Sequence, residues 1–190
     1  MVKTARKDAL ENRARIVEVA RREIAASSTA ELRLNAVAKE AGVGQGTLYR
    51  HFPTREALLV EVYRQEVDDL VDLAPRLLES AEPVDALARW FDRVAEYARV
   101  KRGVLAAVEA SVWRDLTMHS LGPIGDAITL LLDAGRAAGQ IREDVDAGDV
   151  IVLIGYLARL DEDEWDRRAH RPLHIVLDGL RRRGACSTAL

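Results

Sequence analysis

The chain has 190 residues, enough to bury a substantial core in one domain or two small ones. Its Ala, Leu, Val, Arg, Asp and Glu content, with 5% aromatics and five prolines, favours helices over strands. Net charge is −3, but residues 1–55 carry 11 Lys/Arg against 6 Asp/Glu, a balance of +5 that leaves −8 for the rest; a basic end on an acidic body points to a polyanion partner at that end. No apolar run approaches the ~20 residues of a membrane helix, no signal-peptide pattern opens the chain, and the single Cys186 excludes an internal disulfide, so a cytoplasmic, all-α protein with an idle cysteine is expected.

In chain order, Arg6 to about Ser27 places Leu10, Ile16, Val17, Ala20 and Ile24 at helical spacing with arginines on the other face, predicting a first helix. A short second helix is predicted from about Leu34 to Ala41, with Asn35 near its start and Gly42 placed to end it in the left-handed conformation. A third covers about Gln45 to His51. Pro53 cannot continue it, and Thr54 is a good N-cap for a fourth, which runs through Leu58, Leu59, Val62, Tyr63, Val67 and Leu70.

Two short helices separated by Ala-Gly-Val form a helix-turn-helix, whose first helix braces on the phosphate backbone while the second enters the major groove. Val43 and Leu48 are expected in the small core. Gly46, early in the third helix, lets the backbone come close to its partner. Gln45 and Arg50 suit base edges, since glutamine pairs with adenine and arginine with guanine through two hydrogen bonds each. Thr47, Tyr49 and His51 suit phosphate oxygens, and Arg55 adds a phosphate contact together with the amino end of the fourth helix.

The run NAVAKEAGVGQGTLYRHFPTREALL, Asn35 to Leu59, resembles the DNA-binding signature of the TetR family of transcriptional regulators, and the likeness extends over the first third of the chain. That resemblance implies an all-helical homodimer in which residues 1–55 form a three-helix DNA-binding domain and 56–190 bind a small effector and dimerise. Most such proteins are repressors. By the family motif, Gln45, Thr47, Tyr49, Arg50 and His51 match DNA-contacting positions. Gly44 departs from a common capping serine, and Arg33 and Asn35 stand where threonine or serine often opens the second helix, so either of these two can take a phosphate bond instead.

Downstream, helices are predicted from Val84 to about Arg102, from Gly103 to Met118, from Gly122-Pro123 to Gly139, from Asp146 through Leu157, and from Pro172 to about Arg183. The penultimate one is apolar nearly all round and must be covered on more than one side. Leu153, Leu157, Leu173, Leu177 and Leu180 are expected to meet a second subunit, the other possibility being that they close the monomer core. Leu160 to His170 reads as a solvated charged connection. His170, His174 and Asp178 have ligand-like four-residue spacing, but Pro172 interrupts any helix carrying His170, so no metal is expected.

Trp90, Phe91, Val94, Tyr97, Val108, Trp113, Met118 and Tyr156 lie on the predicted helices of the second domain and line either a ligand pocket or a solid core. With no Arg or Lys clearly on the inward stripes, the expected ligand is apolar and neutral or cationic, with Asp92, Glu96 or Glu109 at the rim. Phosphate-loop, serine-elbow and metalloprotease motifs are all missing, which argues against an enzyme and for no cofactor. The expected function is a DNA-binding repressor that leaves its operator when an effector binds; an architectural DNA-coating protein without an effector is the alternative.

Overall fold

The computed structural model describes residues 2–26 and 32–182; Ser27, Arg183 and Cys186 lie outside them. The elements are α1 (Val2–Ala26), α2 (Leu34–Glu40), α3 (Gln45–His51), α4 (Arg55–Ser80), α5 (Pro83–Leu105), α6 (Ala110–Ala137), α7 (Ala147–Ile154), a 3₁₀ turn at Gly155–Arg159, α8 (Glu162–Arg168) and α9 (Arg171–Leu180). Among the described residues there is no strand, only an isolated antiparallel bridge between Ile141 and Arg181. The chain gathers into two compact units: one reaches Glu66 and adds Arg99–Thr117, and the other holds Val67–Ala98 and the chain from Met118 onward.

In the first unit, Ile16, Val17, Ala20 and Ile24 of α1 are buried with Val37, Ala38, Leu48, Phe52, Leu58, Leu59, Val62 and Tyr63; Leu10, expected on the same stripe, faces solvent. α1 packs on both α2 and α3. Arg13 fastens this packing twice: its guanidinium lies 4.6 Å from the Phe52 ring centroid, and Nη2 is 2.8 Å from Glu61 Oε1 of α4. Arg21 donates to both Glu18 oxygens, which holds that carboxylate below its ordinary range, and reaches the buried Glu66 at 3.4 Å. Gly103 sits against α1 so closely that a Cβ there would lie 2.5 Å from Ile24 Cγ2. Gly103 lies within α5, which runs to Leu105, so no helix begins there; the next one starts at Ala110.

The second unit corrects the expected boundaries further. Gly122 and Pro123 lie inside α6 and do not start it. Pro123, like Pro75 within α4, is on the exposed side of its helix, where the carbonyl left without a partner can bond water. Gly139 adopts φ +69° just beyond α6, the stop expected of it. Asp146 caps α7 in a reciprocal box with Asp149, at 2.9 and 3.0 Å. The segment expected as a solvated connection contains α8, because Trp165 and Ala169 bury themselves from among its charges. Trp90 is fully buried, and its indole N–H is satisfied by the Leu70 carbonyl at 2.9 Å.

Candidate nucleic-acid interface

Punctuation sets the geometry of α2 and α3. Gly42 holds φ +66°, a conformation that costs a side-chain-bearing residue about 1 kcal/mol or more, and so turns the chain sharply after α2. Gly44 opens α3 in an extended conformation. Thr54 Oγ1 accepts the Ala57 amide at 3.0 Å, the N-cap expected for α4. Between these stops α3 has just two turns. Leu48 is buried in the core and Phe52 beyond it is buried too, whereas Gln45, Gly46, Tyr49 and Arg50 are exposed and Thr47, His51 and Val43 are half-buried. One helix thus presents a polar face made of the residues singled out in the sequence.

Details of that face bear on its chemistry. The Arg50 guanidinium lies along its own helix, with Nε donating to the Gly46 carbonyl and Nη2 to Thr47 Oγ1, both at 3.1 Å. It can reach a base edge only by giving up those two exposed bonds, which water or a base can replace. Among the described residues nothing lies within 4 Å of where a Cβ of Gly46 would stand, so none of their packing calls for glycine there. Arg55 opens α4 half-buried; its Nε is shielded and finds no acceptor among the described residues. Arg33 takes the N-cap position of α2 without a side-chain cap, and Asn35 is exposed in the first turn. Arg13 and Glu61, which brace α3's end against α1 and α4, were not anticipated; a cation facing an aromatic across forty residues leaves no local pattern in the sequence.

The remaining expected site residues divide between the two units. Trp90, Phe91, Val94 and Tyr97 are buried on α5 in the second. Val108 and Trp113 are half-buried in the first, where Tyr63 meets Trp113 edge-on at 5.8 Å and Lys101 Nζ stands 5.2 Å from its ring centroid. Met118 is 69% exposed. The Tyr156 hydroxyl donates to the Ala169 carbonyl at 2.6 Å, and burial pushes its phenol up to about 12. Cations do turn inward: the Arg93 side chain is only 15% exposed, and burial lowers Lys101. That overturns the expectation of inward stripes without Arg or Lys, and with it the argument for a neutral or cationic ligand; both side chains reach from α5 along long stems that a periodicity reading assigns to the surface.

Leu157, Leu173, Leu177 and Leu180, expected to face a second subunit, are instead buried in the core of their own chain. The apolar residues that α7 and α9 leave outside are Val152, 77% exposed, Ile175, 64% exposed, and the expected Leu153. α7 and α9 pack on each other. Among the described residues no helix is long and apolar enough to cross a membrane.

Residues 16–62 match the family model for bacterial regulatory proteins of the tetR family, and residues 82–182 match the C-terminal domain of SbtR-like transcriptional regulators. The curated relative HTH-type transcriptional regulator SAB2452 of Staphylococcus aureus is 39% identical over 66 residues, 35% of this chain and 36% of its own, so the likeness spans about a third of such relatives. Over nearly the full length, the crystal structure of the TetR transcriptional regulator SCO0520 from Streptomyces coelicolor is 37% identical with a TM-score of 0.77, covering 90% of this chain and 99% of that one. The TetR transcription regulatory protein of Mycobacterium vanbaalenii is 32% identical with a TM-score of 0.71, covering 94% and 99%. A helix-turn-helix with its polar face outward, matched at both ends of the chain by one family, makes this protein a member of the TetR family of transcriptional regulators, with a helix-turn-helix DNA-binding domain at its amino terminus.

Proposed function

We propose that the chain is a cytoplasmic repressor that binds a palindromic operator as a homodimer and leaves it when a small apolar effector binds. The observation that carries this reading is the outward face of α3: Gln45, Gly46, Tyr49 and Arg50 face solvent while Leu48 anchors the helix from behind. Gln45 and Arg50 read base edges. Thr47, Tyr49, His51, Arg55 and, at the start of α2, Arg33 and Asn35 hold phosphates.

Two-fold symmetry follows from the second exposed face. Val152, Leu153 and Ile175 on α7 and α9 are apolar and uncovered, and pairing with the same face of a second copy buries them. Two α3 helices then reach half-sites about 34–36 Å apart or a multiple of that. The effector occupies the second unit beside Trp90, Phe91, Val94 and Tyr97. It favours dimers whose α3 helices are wrongly spaced, and α4, continuous from Arg55 to Ser80, is the lever.

Selection from a random duplex pool followed by footprinting tests the reading. A palindromic site protected in two half-sites, and released by an apolar small molecule, is the expected result. Sequence-independent coating of the duplex would contradict it.

A further inference from the structure

Helix α3 is held from behind at two points one turn apart, the buried Leu48 and Phe52. Its seven residues are too few to make a stable helix alone, so these anchors set its tilt. Phe52 ends the helix: it takes extended dihedrals, and its amide bonds the Leu48 carbonyl at 2.8 Å. Over its ring lies Arg13 of α1, with the guanidinium carbon 4.6 Å from the centroid, and the same guanidinium is pinned to Glu61 of α4 at 2.8 Å. The His51 ring stands 6.4 Å from the Phe52 ring, tilted by 47°. A line of contacts therefore runs from α1 and α4 through Arg13 and Phe52 into the end of α3.

We infer that Arg13 is a positioning residue for sequence reading: it does not touch DNA, but fixes the tilt of α3 so that Gln45 and Arg50 meet base edges. The inference rests on the reading of α3 as the helix that reads bases. Arg13 is a poor candidate for a phosphate contact, because Glu61 balances its charge and the Phe52 ring covers one side of it. Its effect is geometric. A helix of seven residues is roughly 10 Å long, so play of about 1 Å at the Phe52 end carries Arg50 out of the few tenths of an ångström over which a base-edge hydrogen bond works. Phosphate contacts tolerate the same shift, since charge attraction falls off slowly and has no sharp direction. Losing Arg13 thus removes sequence preference and leaves backbone binding in place. Lysine cannot stand in, because its compact ammonium cannot lie flat on the ring and hold Glu61 together.

The test compares the duplex that the wild-type chain selects most strongly from a random pool with a scrambled duplex of the same length and composition, over a range of salt. Arg13→Gln/Glu61→Gln removes the cation and its partner together, so net charge is unchanged. Preference for the selected duplex should fall about tenfold, the worth of one base contact. Affinity for the scrambled duplex, and the slope of log affinity against log salt, should stay as in wild type. Phe52→Leu keeps an apolar anchor without the ring and should give a similar loss, and combining it with the double variant should add little, because both act through one contact. A chain that had only lost stability would bind both duplexes more weakly and keep their ratio. That outcome, or a preference retained in full, overturns the proposal. So does a salt slope lower by about one charge, which would make Arg13 a phosphate contact. A wild-type chain that prefers no duplex would overturn the reading of α3 and the proposal with it, whereas a wild-type preference that the variants keep overturns the proposal alone.

Discussion

Helix α3 and the α7–α9 pair each leave a surface uncovered in the single chain, but the two surfaces are opposite in kind. On α3 the residues left outside are polar or lack a side chain, whereas on α7 and α9 they are the apolar Val152, Leu153 and Ile175. A polar face beside a basic end calls for a partner rich in acceptors and negative charge. An apolar face calls for a second apolar surface. One helical chain thus leaves two surfaces of opposite chemistry uncovered.

Removing what lies behind each face breaks this contrast most severely. Leu48→Ala deletes the buried anchor of α3 and should destabilise the first unit by about 2–5 kcal/mol, measured by denaturant unfolding. Gln45→Ala, on the exposed side of the same helix, should stay within about 0.5 kcal/mol. Equal losses at the two positions would mean that α3 is not divided into an inner and an outer face.

On the other surface, Ile175→Asp should split the dimer in analytical ultracentrifugation and weaken operator binding by about tenfold to a hundredfold, as one half-site is lost. Leu177→Asp differs in kind, since Leu177 is buried within its own chain, and should unfold the second unit. If Ile175→Asp remains a dimer of wild-type affinity, the exposed apolar face has another use.

How much of this could be read in the sequence depended on whether the signal was local. The ends of α3 were legible because Gly42, Pro53 and Thr54 each act within a few residues, and the polar face followed from spacing alone. The exposed apolar face of α7 and α9 was not. In Val150–Leu157 nearly every position is apolar, so periodicity cannot say which side the chain itself covers; in the fold Leu157 is buried and Val152 faces outward. Gly122-Pro123 carried the signature of a helix start, and only the exposure of Pro123 lets α6 run through it. α8 was hidden because two buried residues, Trp165 and Ala169, sit among many charges.

A smaller effect sharpens the comparison from within α3. Gly46→Ala meets nothing among the described residues and replaces a poor helix former with the best one, so stability should rise by about 0.5–1 kcal/mol. If the bare backbone at Gly46 exists for close approach to DNA, operator affinity should fall in the same variant. A variant that gains stability and keeps full affinity would show that glycine has no role at the interface.

The central claim is that the outer face of α3 reads base sequence, and the base preference of Gln45→Ala tests it most directly. Selection from a random duplex pool at fixed salt, with wild type and variant side by side, gives the preference at every operator position. The account predicts that preference relaxes by about 1–3 kcal/mol at one base pair in each half-site while the others are kept. An unchanged profile at every position would contradict it.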